Sequence, residues 1–268
     1  MELDPQKPAA VGPAHFLRVN ADDFGLHPDI NRAVADGVEA GRIHALSVSV
    51  NGTAVDWPLL QRLRDHGAQI GLHLTWVGEP WLTGGAGFRG WPALAAALPR
   101  SPRLVSRLEA EARQQVAAFQ AHGFAPAHLD SHQHVHMWPR LWTITCRLAR
   151  ENGAGRVRVP WCPTWRGVRR SPGGMALQAL AALRRRQAPE AWPCVGLAFS
   201  GHYTLARLAG EVRAAQGRDL EVVIHPGYAT QDLRQRYHIW DYDWDTERLT
   251  IMDDGWPALL AECGYRCA

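Results

Sequence analysis

Short apolar runs alternate with helix-period stretches along this whole chain, and several of the runs end in residues that bind metals or move protons. Phe16-Leu-Arg-Val-Asn20 runs into Ala21-Asp-Asp-Phe-Gly25. Pro28 then suits a first helical turn, and Ile30, Ala33, Val34 and Val38 recur at helical spacing before Gly41. Ala45–Val50 reads as a second strand stopped by Asn51-Gly52, and a short helix, Trp57–Asp65, leads to a third strand, Gln69–Leu74. Leu104, Leu108, Ala112, Val116 and Phe119 mark an amphipathic helix closed by Gly123. Then follow a helix from about Pro139 to Asn152, a strand at Arg156–Pro160 and an alanine-rich helix near Met175–Arg186. A helix at Tyr203–Ala215, a strand at Leu220–His225 and a last helix at Pro257–Cys263 complete the series.

Alternation of this kind, with no linker to divide it, predicts an α/β chain built on one largely parallel sheet or barrel. At 268 residues it is the size of a single (β/α) barrel. Residues 1–14 read as a flexible N-terminal tail with no apolar run long enough for a signal sequence, and 15–268 as one domain. Thr75–Pro102, rich in Gly, Pro and Trp, reads as a long functional loop with little regular structure.

Composition narrows the partners. A net charge of +3 is too small to imply nucleic acid, and the Arg184–Arg186 run and the Arg166, Arg169 and Arg170 group read as solvated surface. No window of 18 apolar residues exists, so no helical membrane span is expected. Five cysteines without a CxxC pair point to a reducing, cytoplasmic setting. Twelve tryptophans exceed what the core pattern needs and point to flat apolar platforms, of the kind on which sugar rings stack.

Parallel α/β architectures place their chemistry at the carboxyl ends of strands. Four such ends carry suitable groups here: Asp22 and Asp23, His73, the run Asp130-Ser-His132-Gln-His134-Val-His136, and His225. A carboxylate with two imidazoles is a common ligand set for a catalytic divalent ion, and a second carboxylate beside it can take a proton from water. Spacing alone does not choose among His132, His134 and His136, which share a face in an extended segment, while His132 and His136 also share one in a helix.

The blocks Val19-Asn-Ala-Asp-Asp-Phe-Gly-Leu26, Val50-Asn-Gly52, Gly71-Leu-His-Leu74 with Gly78-Glu-Pro80, His128-Leu-Asp-Ser-His-Gln-His-Val-His-Met137 and His225-Pro-Gly227 follow one another in order. In this they resemble the YdjC-type carbohydrate deacetylase family, which includes chitooligosaccharide deacetylase and a hopanoid-associated branch. The resemblance covers about residues 16 to 266. It implies an irregular (β/α) barrel like that of polysaccharide deacetylases. It also implies one divalent metal ion, magnesium by family, on Asp23, His73 and His132, with Asp22 as catalytic base and His225 as general acid. Zinc or another transition metal suits two imidazoles and a carboxylate equally well. Asp130, His134 and His136 are expected around that first ring of ligands or against substrate, and Trp76, Trp81 or Trp138 on the sugar. The Trp161–His202 stretch matches no block of the family.

The activity implied is hydrolysis of an N-acetyl group from an amino sugar or short N-acetylated oligosaccharide. The rivals are a glycosidase or isomerase on the same barrel and a sugar-binding relative without turnover. The expected partner is a small carbohydrate, and a homodimer is an open option.

Overall fold

The computed structural model describes residues 15–164, 172–188 and 191–268. The expectations for residues 1–14 and for Arg166, Arg169 and Arg170 lie outside them.

Strand β1 (His15–Phe24) is the axis of the sheet, and every residue from Leu17 to Phe24 is buried. A strand covered on both faces must be apolar throughout, and that is why Leu17, Val19, Ala21 and Phe24 surround the charged pair. On one side β1 pairs in parallel with β2 (Ala45–Val48), then come β3 (Gln69–Leu74), β4 (His128–Ser131) and β5 (Arg156–Val157). On the other side lie β7 (Leu220–Ile224) and β6 (Cys194–Val195), while β8 (Tyr265–Cys267) pairs with the start of β1. The order β5-β4-β3-β2-β1-β7-β6 is a parallel sheet curled into a half-barrel. No ladder joins β5 to β6 among the described residues. Instead the Cys194 N–H donates to the Trp161 carbonyl at 2.7 Å.

Helices α1 (Pro28–Glu39), α2 (Trp57–Asp65), α3 (Trp91–Ala97), α4 (Pro102–Ala121) and α5 (Pro139–Glu151) each carry a proline in their first turn. Proline there lacks only an N–H that would have had no helical partner. Asp56 caps α2 by accepting from Leu59 N, and His27 caps α1 through Asp29 N. Beyond them lie α6 (Pro172–Arg184), α7 (Leu205–Ala214), α8 (Gln231–Arg236), α9 (Trp244–Met252) and α10 (Gly255–Glu262). One apolar cluster runs from Leu17 to Tyr265, as a single domain requires. No helix among the described residues is long and apolar enough to cross a membrane.

The structure departs from the sequence expectation in three places. The Thr75–Pro102 loop carries α3 and a 3₁₀ turn at Leu98–Arg100, and buries Trp76, Val77, Trp81 and Leu94. Strand β1 continues through both aspartates instead of stopping at Asn20. Strands β6 and β8 and helices α8 and α9 appear where no period was visible. β6 has two residues and β8 three, too short for an alternation to register.

Candidate metal centre

At the carboxyl end of β1 the backbone leaves the regular pleat. Asp23 has φ +70, and the β1–β2 register slips between Ala21 and Phe24. Successive side chains of a regular strand point to opposite faces. The bulge releases that rule, and both Asp22 and Asp23 lie within ligand distance of one imidazole, His73.

Asp23 Oδ1 is 2.9 Å from His132 Nδ1 and 3.4 Å from His73 Nε2. The opposite nitrogen of His73, Nδ1, lies 2.6 Å from Asp130 Oδ1, so Asp130 fixes the ring and leaves Nε2 toward Asp23. Burial works against a charged Asp23, yet His132 and His73 more than offset it and hold its carboxyl well below the usual range. For His73 burial again opposes charge, and the nearby Asp130 and Asp22 win, pushing it up to about 10. Asp23 Oδ2 and His132 Nε2 are buried without a partner. One oxygen and two nitrogens, with orphaned donor atoms among them, fit a divalent cation.

A second cluster, Asp22 with His73 and Asp130, meets the same distance criterion but already has its cation. Arg158 Nη1 lies 2.7 Å from Asp22 Oδ2 and 2.7 Å from Asp130 Oδ2. Its Nη2 donates to Asp22 Oδ1 at 2.9 Å, and Nε donates to Glu221 at 2.6 Å. Asn20 adds a third bond to Asp22, 2.8 Å from Nδ2 to Oδ1. Burial would strip Arg158 of its proton, but Asp130, Asp22 and Glu221 outweigh it and hold the guanidinium charged. Beneath, Glu221 also accepts from Arg18 at 3.0 Å, and Ser47 donates to Asp130 at 2.7 Å. Asp22 is therefore a carboxylate clamped in one orientation beside the donor cluster.

The histidine run divides. After His132 the chain makes 3₁₀ turns in which Gln133 and His134 have φ +54 and +52. These turns separate the three imidazoles that spacing left together. His136 bonds Ser131 Oγ at 2.7 Å and the Arg158 carbonyl at 2.9 Å, and burial lowers its pKa to about 4. It ties the end of β4 to the residue that clamps Asp22. His134, whose pKa burial also depresses, lines an apolar hollow of about 460 Å³ with Trp138, Met137 and Leu177.

His225 ends β7. Its backbone N–H donates to Glu247 Oε2 at 2.6 Å, and ring Nδ1 lies 3.7 Å from the same oxygen. Burial opposes protonation of this ring, but Glu247, Asp23 and Asp22 raise its pKa overall.

The tryptophans need correction. Trp76 is fully buried with its indole N–H on the Leu108 carbonyl at 2.8 Å, and Trp81 is buried with its N–H on the Trp76 carbonyl at 3.1 Å. Trp76 anchors the loop onto α4, Trp81 ties the loop to itself, and neither offers a face to a sugar. Trp138 keeps a half-buried face in the hollow. Two aromatic rings stand against the site: Trp240, whose ring lies 4.9 Å from that of His132, and Tyr242, 5.1 Å from His225. Both lie in the irregular Tyr237–Asp243 segment, which carries no periodic signal. Arg158 was findable: Arg156 and Arg158 alternate with Val157 and Val159, which puts two charges on one face of a core strand. Nothing in the sequence marked Glu247.

The family model described as YdjC-like protein matches residues 16–262. The chain belongs to that family. Among solved structures it is similar to a protein of Enterococcus faecalis with a proposed role in cellobiose-phosphate cleavage, with TM-score 0.68 and 16% identity over 96% of this chain and 97% of that one. It is also similar to an uncharacterized protein of Agrobacterium tumefaciens, with TM-score 0.55 and 12% identity over 97% and 89% of the two chains. A chitin deacetylase of Colletotrichum lindemuthianum aligns with TM-score 0.43 and 13% identity over 96% and 86%. The family expected from the motif blocks is thus the family of the chain, and the shared architecture spans nearly its whole length.

Proposed function

We propose that this protein is a metal-dependent hydrolase that removes the N-acetyl group of an amino sugar or short N-acetylated oligosaccharide, releasing acetate. One observation carries the reading: a buried carboxylate–imidazole–imidazole donor set stands beside a second carboxylate, Asp22, that an arginine holds in place. Membership of the YdjC-like family supports a carbohydrate substrate.

Asp23, His73 and His132 would hold a divalent cation, with magnesium favoured by family and zinc by the nitrogen donors. Such an ion supplies Lewis acidity, polarising a carbonyl oxygen and making water more acidic. The chain's own residues do the rest. Asp22 accepts the proton of the attacking water as the new C–O bond forms at the amide carbon, and Arg158 and Asn20 keep its lone pairs aimed. His225 Nδ1 faces Glu247, so Nε2 is the nitrogen free to give a proton to the departing amine as the C–N bond breaks. Against opposing burial, Glu247, Asp23 and Asp22 raise its pKa and so favour the protonated ring. Asp130 holds the His73 ring, and His136 braces the backbone of Arg158.

A glycosidase needs two carboxylates flanking the scissile bond. Asp22 and Asp23 are adjacent, and Asp23 belongs to the donor cluster. Measuring acetate against reducing-sugar release over N-acetylated mono- and oligosaccharides and a phosphorylated disaccharide separates the two. Sugar release without acetate would reject the deacetylase.

His73 provides a test that needs no turnover. A cation can bind only after the His73 proton leaves, and that proton is held up to about pH 10. Metal affinity should therefore rise about tenfold per pH unit between pH 6.5 and 9, with one proton released to buffer on binding. Calorimetry in two buffers of different ionisation enthalpy reads that proton. His73→Ala should lose both metal and acetate release, and a His73→Ala protein that retains stoichiometric metal after dialysis would reject the ligand assignment.

A further inference from the structure

Four of the five tyrosines spend their hydroxyl on an acceptor inside the protein. Tyr203 donates to Glu211 at 2.7 Å, Tyr237 to Glu79 at 2.9 Å, Tyr265 to the Ala215 carbonyl at 3.1 Å, and Tyr228 to Asp36. Tyr242 has no hydrogen-bond partner for its hydroxyl among the described residues, although its ring is half-buried. Its hydroxyl is not among the buried polar atoms left without a partner, so it faces space that an arriving group can enter.

The ring is held in place all the same. Gly201, at φ +83, lets it approach: a Cβ there would stand 2.4 Å from Tyr242 Cδ1. The Gly201 carbonyl accepts from Asp243 N at 2.8 Å, and its N–H donates to Glu247 Oε1 at 2.5 Å. The other oxygen of Glu247 takes the His225 N–H. One buried carboxylate thus joins the loop under Tyr242 to the end of β7, and the phenol ring packs 5.1 Å from His225 and 5.8 Å from Trp240. A rigid donor with an unspent hydroxyl, set between the proposed acid and the aromatic ring beside a proposed ligand, is placed for a group that arrives with substrate.

We infer that Tyr242 is a catalytic residue whose hydroxyl donates a hydrogen bond to the carbonyl oxygen of the scissile amide, and bonds it most strongly when that oxygen carries charge in the tetrahedral state. Burial, with Asp23, Glu247 and Asp22 nearby, raises its pKa above the usual phenol range, so the hydroxyl keeps its proton and is a donor at neutral pH. No proton is transferred by Tyr242; the proton ledger remains that of Asp22 and His225. This role rests on the amide-hydrolase reading above.

The test is Tyr242→Phe, which keeps the ring against Gly201 and removes only the hydroxyl. The expected result is a fall in kcat of about 10²-fold with KM for the N-acetylated sugar unchanged. The thermal midpoint should not drop, since the hydroxyl bonds nothing in the folded protein. The phenylalanine penalty should shrink on an N-thioacetyl substrate, whose sulfur accepts hydrogen bonds poorly. A methylphosphonamidate analogue of the substrate, which imitates the tetrahedral state, should bind the variant about 10²-fold more weakly. Unchanged kcat and analogue affinity, or a loss confined to KM, would overturn the assignment. If the wild-type protein itself releases no acetate, the amide-hydrolase reading fails first, and the two failures are distinct.

Discussion

Replacing Asp22 by asparagine is expected to lower acetate release by about 10³-fold while the metal content of the protein stays unchanged. The substitution is isosteric and leaves Asp23, His73 and His132 in place, but an amide cannot take up the water's proton. It also brings an NH2 donor toward Arg158 and Asn20, which already direct three donors at this carboxylate. A modest loss of stability, about 1–3 kcal/mol, should accompany the loss of turnover. Acetate release and metal analysis on the same preparation decide the matter. Full activity in the asparagine variant would remove Asp22 from the role of base, and loss of metal would make it a ligand instead.

The second large effect belongs to Arg158, a residue that touches no proposed ligand atom of the cation. Its guanidinium is the shared counter-charge of Asp22, Asp130 and Glu221, all buried. Arg158→Met keeps much of the volume and leaves Asp22 and Asp130 without their shared guanidinium in the interior, while Glu221 keeps Arg18. A cost of about 3–5 kcal/mol is expected, read as a shift in the urea midpoint at neutral pH. The deficit should narrow as pH falls, because protonating the stranded carboxyls relieves the repulsion that the guanidinium had cancelled. Arg158→Lys should recover charge but not function. A single ammonium cannot meet Asp22 through two nitrogens while also reaching Asp130 and Glu221. A methionine variant as stable as the parent at pH 7 would show that Asp22 and Asp130 do not depend on this guanidinium.

The strand ends were legible in the sequence because an ionisable residue closing an apolar run is rare without a reason. Asp22, Asp23, His73, Asp130, His132 and His225 stand out this way, and the structure gathers the first five into two neighbouring clusters that share His73. Of the helices with a first-turn proline, α2 and α5 were legible to within a few residues, while α3 was hidden in a Gly- and Trp-rich stretch. Three further matters were not legible. The choice among His132, His134 and His136 depends on two left-handed residues, and neither Gln133 nor His134 is a type that announces them. Trp76 and Trp81 looked like a sugar platform because indole serves cores and binding sites alike; only their hydrogen bonds to Leu108 and Trp76 distinguish the two uses. Glu247, Trp240 and Tyr242 lie outside any periodic segment or in a helix of weak pattern, and gain their meaning from residues about 20 to 110 positions away.

The meeting of β5 with β6 has a consequence for how this molecule breathes. Elsewhere neighbouring strands share ladders, whereas among the described residues the backbone link here is one amide, Cys194 N–H to the Trp161 carbonyl, with the Cys194 thiol on the Val159 carbonyl beside it. Local opening starts where the fewest backbone bonds must break at once. The Cys194 amide should therefore exchange with solvent deuterium sooner than that of Val222, whose strand is laddered on both sides. Arg158 lies three residues from Trp161, on the same edge. The residue that fixes the proposed base is thus rooted beside the join with the fewest backbone bonds among the described residues, and opening there should loosen the clamp on Asp22 before it reaches the donor cluster.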